Sequence, residues 1–272
     1  MSYLSRESSP ISAKLWEQID SAVVQTASHV LTGRRFLHVF GPLGVGAESI
    51  NIDDADHVEE VSAQGMIKTN GRKFVEIPTV YDDFTLLARD LESSAKSGYP
   101  TDLSKVLASA EACALAEDRL VYFGNEKYGY QGLLNANGVN KLKRNDWKTG
   151  ENSFADVAAG IELLATKGIY GAYALAVSPD LYMQMQRIQQ GTGLLEIDRV
   201  SKLLDGNIFK APVLGSGKAI LLCSDPRNVD LVIGQDIATA YLEQKDLNHN
   251  FRILETVLPR IKRGQAIVVF ES

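Results

Sequence analysis

The longest helical pattern in the chain covers residues 101–124, where apolar residues recur three or four positions apart. This spacing places them on one face of a helix. The apolar face comprises Leu103, Val106, Leu107, Ala110, Ala114 and Leu120. Thr101 or Asp102 can cap the first turn, and Gly124 stands at the usual C-terminal stop. We expect a central packing helix with a polar edge. That edge comprises Glu111, Glu117, Asp118 and Arg119.

A second amphipathic pattern lies near the N-terminus. Ser12 is a capping residue before a helix that we expect from about Ala13 to Thr32, with Gly33 as its stop. Its apolar positions are Leu15, Trp16, Ile19, Val23, Val30 and Leu31. Trp16 either fixes this helix to the body of the protein or lines a groove for another peptide. A strand is predicted next, and it contains Phe36, Leu37, Val39 and Phe40.

Residues 57–82 alternate weakly and are rich in β-branched residues, which indicates a β-ribbon. Two reversals are candidates, Ser62–Gly65 and Asn70-Gly71, and we favour the first because it gives a long extended arm. A two-stranded ribbon is only marginally stable in water, so it must lie against another surface. A neighbouring subunit is the natural candidate, and we therefore expect a homo-oligomer.

Strands and helices alternate after the central helix. We expect a helix over residues 153–168 with Ser153 and Asp156 as its cap pair, and a buried strand over residues 173–178. Another helix is predicted from Pro179 to a stop at Gly191. Further strands are predicted in FKAPVLG, KAILLCS, VDLVIGQD and twice in the C-terminal segment. The pattern predicts an α+β protein with a second lobe between about residues 130 and 225.

Composition excludes several classes of protein. The 272 residues carry a net charge of −6, whereas a protein that wraps nucleic acid needs a basic excess. Cys113 and Cys223 lie in apolar surroundings without paired spacing, as buried reduced cysteines do. The N-terminus lacks a signal-peptide core, and no apolar run approaches the ~20 residues of a spanning helix. We expect a soluble, intracellular protein.

Catalytic and metal-binding motifs are weak. The four histidines share no ligand spacing, and no serine occupies a nucleophile elbow. The Gly44-Val45-Gly46 segment lacks the remaining residues of a phosphate-binding loop. An acidic cluster in residues 53–57 lacks the glycine and final glutamate of a calcium loop, so a solvated loop is the better interpretation. We predict no catalytic residues, no metal and no enzymatic activity.

Three segments together resemble the encapsulins, the bacterial nanocompartment shell proteins once called linocin-type bacteriocins. They are SPISAKLWEQIDSAVVQTASHVLTGRRFLHVFGPLG, AEDRLVYFGNEKYGYQGLLN and DLVIGQDIATAY. The resemblance implies the Hong Kong 97-like fold of phage capsid subunits. It implies the following division: residues 1–47 as N-terminal helix and arm of the peripheral domain, 48–82 as E-loop, 83–129 as peripheral spine helix, 130–225 as axial domain, and 226–272 as the return to the peripheral domain.

The resemblance also implies a function. Similar proteins assemble into icosahedral shells in the cytoplasm and enclose a cargo enzyme, either a dye-decolourising peroxidase or a ferritin-like protein. The cargo carries a short C-terminal targeting peptide that docks between the N-terminal helix and the peripheral domain. Carried over to this chain, the candidate contacts are Leu15, Ile19, Val23, Arg34, Phe36, Val39, Ile233 and Ile237. The alternative interpretation of each apolar residue is that it belongs to the core.

Two further features follow from the same resemblance. Gly191, Thr192 and Gly193 stand where similar proteins have a pore loop, and their small uncharged side chains predict a pore open to small solutes. An ordinary helix-ending turn is the alternative. Some encapsulins bind flavin through a tryptophan after the arm, but Leu86 stands near that place here, so we expect no cofactor.

Two other classes of function stay open from the sequence. A phage-type major capsid protein that encloses DNA shares the fold, although we expect no cleaved N-terminal scaffolding segment here. A soluble enzyme or bacteriocin-like protease is the third alternative, and it lacks a nucleophile–base pair.

Overall fold

The computed structural model describes residues 3–53, 58–189, 191 and 193–271. Its α-helices are α1 Ala13–Val30, α2 Ala88–Ser97, α3 Ser104–Phe123, α4 Asn152–Thr166, α5 Pro179–Met185 and α6 Glu196–Leu203. Its strands are β1 His38–Phe40, β2 Ser49–Asp53, β3 Glu59–Ala63, β4 Met66–Asn70, β5 Arg72–Glu76, β6 Thr79–Leu86, β7 Asn140–Lys143, β8 Tyr173–Val177, β9 Ile208–Lys210, β10 Ala219–Cys223, β11 Val229–Ile233, β12 Ala238–Lys245, β13 Asn248–Ile261 and β14 Ile267–Glu271.

Helices α1 and α3 pack against each other and against the first sheet. That sheet has the order β1-β11-β13-β12, and β6 also pairs with β13. Most of the apolar positions predicted for both helices are buried, and Ile19, Val23 and Val106 lie against Phe84 and Phe251 of this sheet. The prediction is wrong at Leu107 of α3, which is 44 % exposed. Burial of these stripes is what holds the two helices on the sheet.

The N-terminal helix begins as predicted and ends earlier than predicted. The Ser12 hydroxyl accepts a hydrogen bond from the Leu15 amide at 3.2 Å, which is the expected cap. The last helical residue is Val30, not Thr32. The chain leaves the helix there because the Asp118 carboxylate accepts hydrogen bonds from the Thr32 amide at 2.9 Å and the Gly33 amide at 3.0 Å.

The polar edge predicted for α3 is wrong at two positions. Glu117 and Asp118 are only 0 % and 1 % exposed. A buried carboxylate requires partners, and both find them in the connection between α1 and β1, namely Thr32, Gly33 and Arg34. The prediction at the C-terminus of α3 is confirmed, since Gly124 follows the helix with φ of 65°.

The predicted ribbon is present, and its favoured reversal is confirmed. Strands β3 and β4 pair through a two-residue turn at Gln64 and Gly65, with φ of 51° and 77°. Positive φ at both positions gives the turn that matches the twist of a hairpin. Strands β2 and β5 pair at the base of the ribbon, and Gly71 links β4 to β5. The second candidate reversal is therefore a junction within one strand of the ribbon.

The second sheet has the order β7-β14-β10-β8-β9 and carries helices α4, α5 and α6. The last strand of the chain, β14, lies in this sheet and pairs with β7 and β10. The apolar core between the two sheets joins Ile220 and Val269 of the second sheet to Leu231 and Val257 of the first. The two sheets therefore share one core.

Several local predictions in the second lobe are wrong. Ser153 and Asp156 do not cap α4, because Ser153 donates to Glu196 and Asp156 accepts from Trp147. Helix α5 ends at Met185, well before the predicted stop at Gly191. The hydrogen bonds of Ser153 and Asp156 are set by tertiary partners, and a local capping pattern in the sequence does not reveal those partners.

Replacing Asp118 should destabilise the protein strongly. The variant Asp118→Ala leaves the buried Thr32 and Gly33 amides without an acceptor, and one unpaired buried donor costs about 1–3 kcal/mol. We therefore expect a loss on the order of 3 kcal/mol in the free energy of unfolding, measured by urea unfolding with tryptophan fluorescence. The control is Glu111→Ala, an exposed position on the same helix, and it should shift the midpoint little. Equal shifts would contradict this account.

Candidate functional site: Arg34 and the surface beside the N-terminal helix

Arg34 is the charged centre of the candidate site. It lies in the short turn Gly33–Arg35 between α1 and β1. Its guanidinium donates to Glu117 of α3 through Nε at 2.9 Å and Nη2 at 2.7 Å, which is a bidentate arrangement. Nη2 also donates to Glu255 of β13 at 2.6 Å, and Nη1 donates to Asp236 at 2.7 Å. One side chain thus ties together four segments of the chain.

Burial and neighbouring charges shift the pKa values of Glu255 and Arg34 in this cluster. Burial and the neighbouring Glu117 carboxylate raise the pKa of Glu255 well above its usual range. Burial alone would lower the pKa of Arg34, but the hydrogen bonds and charges of Glu117 and Glu255 raise it. Arg34 is 19 % exposed, whereas Glu117 and Glu255 are fully buried. The guanidinium is therefore a permanent positive charge at the edge of a buried acidic pair.

Four of the eight predicted peptide contacts are buried in the core. Ile19 and Val23 lie in the core beneath the first sheet, and Phe36 and Ile233 lie in the core between the sheets. None of the four exposes more than 9 % of its surface, so within the folded chain they shape the site and do not form its surface. Their assignment as direct peptide contacts stays a prediction.

The other four predicted contacts keep exposed surface. Arg34 and Ile237 lie close together, because Asp236 accepts from Arg34 and also from the Ile237 amide at 2.8 Å. The Ile237 side chain packs beside Leu31, the residue that follows α1. Val39 is 37 % exposed on β1, the strand that follows the Arg34 turn. Arg34 and Ile237 therefore connect the end of α1, the Arg34 turn and residues 235–237.

Leu15 is separated from this group. It lies near the start of α1, twelve positions before Ala27, which corresponds to about 18 Å along a helix. Leu15 lines a different groove of about 660 Å³ between α1 and α2, together with Leu91 and Tyr99. The structure therefore brings together Arg34 and Ile237 and places Leu15 elsewhere.

Sequence reasoning missed the acidic partners of Arg34 and part of the apolar surface. Glu255 lies within an apolar strand, RILETVLP, and a single acid in such a pattern is a signal for a buried ion pair. Exposed apolar side chains also lie beyond β1, at Leu43 and Val45. Phe40 leaves β1 on the face opposite to Val39, and its ring packs against the Arg260 guanidinium.

Two of the predicted pore residues, Gly191 and Gly193, lie in the connection between α5 and α6. The Gln189 amide donates to the Leu194 carbonyl at 2.9 Å and closes this loop. Gly191 and Gly193 are exposed with positive φ, 83° and 70°. Thr192 lies outside the described residues. The loop has the exposure that a pore lining requires, and the pore assignment stays a prediction.

Other candidate chemistry is limited. Within the described ranges, no group of three or more His, Cys, Asp or Glu side chains could hold a metal ion. Of the acidic cluster considered above, Asp54, Asp56 and His57 lie outside the described residues. Leu86, the position considered for flavin, is buried in the core. None of the helices in the described part of the chain is long and apolar enough to cross a bilayer.

Solved structures show the fold to which the chain belongs. The crystal structure of a virus-like particle from Pyrococcus furiosus matches with a TM-score of 0.78 at 21 % identity, over 95 % of this chain and 100 % of that chain. The capsid of Myoviridae phage XM1 matches with a TM-score of 0.64 at 14 % identity, over 87 % of this chain and 90 % of that chain. The predicted α+β, Hong Kong 97-like capsid fold is confirmed.

Sequence comparisons then define the family. A family model described as "Encapsulating protein for peroxidase" matches residues 1–258. The type 1 encapsulin shell protein EncA of Myxococcus xanthus is 33 % identical over 277 residues, 99 % of this chain and 96 % of that protein. A diheme-cytochrome-encapsulin shell fusion protein of Kuenenia stuttgartiensis is 36 % identical over 262 residues, 94 % of this chain and 72 % of that protein. The chain belongs to the encapsulin shell protein family.

Removing the Arg34 side chain should unfold or strongly destabilise the chain. Arg34→Ala leaves Glu117 and Glu255 buried without their cation, and breaking a buried ion pair costs about 3–5 kcal/mol. Arg35→Ala is the matched control, since Arg35 is exposed and donates to the Ser28 and His29 carbonyls. Thermal unfolding should show a much lower Tm for the Arg34 variant alone. Similar Tm values for both variants would exclude a central role for Arg34.

Proposed function

We propose that this chain is the structural subunit of an icosahedral nanocompartment in the cytoplasm, built from many copies of itself. The compartment encloses a cargo enzyme that binds through a short C-terminal targeting peptide. The observation that carries the proposal is the 33 % identity to a type 1 encapsulin shell protein over 99 % of this chain. The subunit has no catalytic role in this proposal and requires no cofactor.

Exposed apolar side chains on the ribbon support assembly. Met66, Ile67 and Phe74 are 74 %, 70 % and 71 % exposed, and Val61 on β3 is also exposed. Burying one such side chain is worth about 1.5–3 kcal/mol, so a neighbouring copy that covers the ribbon gains substantial free energy. Repeated around a closed shell, each copy both covers a ribbon and has its own ribbon covered.

Two relatives bear on the class of cargo. The Kuenenia stuttgartiensis protein is named as a fusion of a diheme cytochrome with a shell protein. A Pyrococcus furiosus relative, 22 % identical over 79 % of this chain and 58 % of its own length, is named as a ferritin-like fusion. For this chain we propose a separate cargo protein, either a dye-decolourising peroxidase or a ferritin-like protein. The description of the matching family supports the former.

The surface proposed for the targeting peptide runs along the Arg34 turn, Val39 and Ile237. It combines exposed apolar surface with the Arg34 guanidinium, which suits a peptide with apolar side chains and a nearby carboxylate. Leu15 extends the candidate surface only if the peptide is long enough to reach the groove beside α2. Avidity between an oligomeric cargo and many shell subunits strengthens an individually weak contact.

A phage-type capsid that encloses DNA is the alternative, since phage capsids share the fold. The two functions differ in what the particle contains. Particles purified from the native host should carry protein cargo, identified by mass spectrometry, and an ultraviolet spectrum without nucleic acid. Particles filled with DNA would support the capsid function instead.

The chain expressed alone should form empty closed shells in negative-stain electron microscopy. Ile67→Asp places a charge on the exposed ribbon and should give small oligomers or monomers, because a desolvated, unpaired carboxylate opposes burial. Ile67→Val keeps the apolar character and is the matched control, which should still form shells. Discrete small oligomers from the unaltered chain would reject the shell proposal. Shells from Ile67→Asp would reject only the role of the ribbon.

Val39→Asp should weaken cargo capture while shells still form. The probe is a fluorescent protein fused to the C-terminal segment of the cargo that co-purifies from the host. Losing one apolar contact of about 1.5–3 kcal/mol should reduce capture about 10- to 100-fold. His38→Asp is the control, since its side chain leaves the same strand on the opposite face. Unchanged capture by Val39→Asp would place the peptide elsewhere.

A further inference from the structure

Two buried glutamates compete for one cation behind the candidate site. Arg34 Nη2 donates to Glu117 at 2.7 Å and to Glu255 at 2.6 Å, so two carboxyl groups meet at one nitrogen. Both glutamates are fully buried. Glu255 Oε1 accepts no hydrogen bond from any donor in the described part of the chain. Glu255 Oε1 is therefore the oxygen that can carry a proton.

The charges around the pair favour that proton. Besides Arg34 and Glu117, Glu255 faces Asp236, which is 53 % exposed and takes the other end of the guanidinium. Cys113 of α3 lies near both glutamates and near Asp82 of β6, and burial raises the pKa of this thiol. Two ionised buried carboxylates against one guanidinium would leave an excess negative charge in the core. Burial and the Glu117 charge accordingly raise the pKa of Glu255.

We propose that Glu255 carries a proton at neutral pH and forms a proton-dependent latch with Arg34 and Glu117. With the proton in place, one net negative charge pairs with Arg34, and the turn after α1 is held against β13. When the proton leaves, the two carboxylates repel each other across the guanidinium. The contact between the Arg34 turn, residues 235–237 and β13 is then weakened.

The sign of the pH dependence follows from proton binding. A glutamate whose pKa is raised on folding binds more protons in the folded state than in the unfolded state. The free energy of unfolding therefore falls as pH rises from the unfolded value of 4.5 through the raised folded value. Cys113 and Tyr122 act in the same direction, but only near and above their unfolded values of 9.0 and 10.0. Burial also raises the pKa of Asp118, with the same sign from its unfolded value of 3.8 upwards.

Thermal unfolding of the full-length chain between roughly pH 6 and pH 8.5 tests the latch. The unaltered chain should lose Tm as pH rises, and Glu255→Gln should lose much less because the amide cannot ionise. Glu196→Gln is the matched control, since Glu196 is a buried glutamate held by Arg187 and by Ser153. It should lower Tm but keep the pH-dependent fall. An equal fall in Glu255→Gln and in the unaltered chain would overturn the proposal.

Infrared spectroscopy of the unaltered chain gives a second test that does not depend on a variant folding. A carbonyl band of a protonated carboxylic acid should be present at neutral pH, shift in deuterated water and disappear at alkaline pH. The band should also be absent from Glu255→Gln if that variant folds. Absence of the band from the unaltered chain at neutral pH would overturn the proposal.

Discussion

The structure depends on the burial of two adjacent acids on α3. The side chains of Glu117 and Asp118 leave α3 in directions about 100° apart. Both are nevertheless buried, because the segment that follows α1 covers this part of α3. Asp118 holds the Thr32 and Gly33 amides, and Glu117 holds the Arg34 guanidinium. A buried acid without such partners would be costly, so the path of the chain from α1 to β1 is fixed by charge as well as by packing.

The path of the chain from α1 to β1 also joins β1 to the core of the protein, and strands β3 and β4 of the ribbon differ from it in this respect. Residues of the Arg34 turn lead directly into β1, which pairs with β11 and so joins the first sheet. The apolar core then continues from β11 into the second sheet. The base of the ribbon packs on the first sheet, where Ile50 and Val75 lie against the core around Val232 and Leu258. Strands β3 and β4, by contrast, form a separate two-stranded sheet that carries exposed apolar side chains. A second copy of the chain is the simplest source of the missing contacts.

Periodicity in the sequence was sufficient to predict the helices α1 and α3 and the ribbon. The Gln64-Gly65 turn was predictable because a two-residue loop with positive φ needs glycine or a tolerant polar residue. The buried acids were not predictable from a local pattern, since an acid at the edge of an apolar stripe usually faces solvent. The prediction that Ser153 and Asp156 cap α4 was wrong for a related reason. Their hydrogen-bond partners, Glu196 and Trp147, lie outside the local capping pattern. Pairing of β14 with β7 is likewise a long-range contact.

In the candidate site, too, the sequence identified residues whose burial or exposure depends on tertiary contacts. Resemblance selected eight residues, and the structure divides them into a buried set that shapes the surface and an exposed set that a peptide can touch. Substitution of Ile19 or Phe36 would disturb the core first, so loss of cargo in such a variant would not identify a contact. Val39 is exposed, so a substitution there tests the proposed peptide contact without first disturbing the core. Arg34 belongs to both sets, because the same guanidinium neutralises buried acids and remains partly open to solvent. Under the proposed function, a peptide carboxylate that reached Arg34 would compete with Asp236, the partly exposed acid of the cluster. Such competition would couple peptide binding at the surface to the buried Glu117 and Glu255 beneath it.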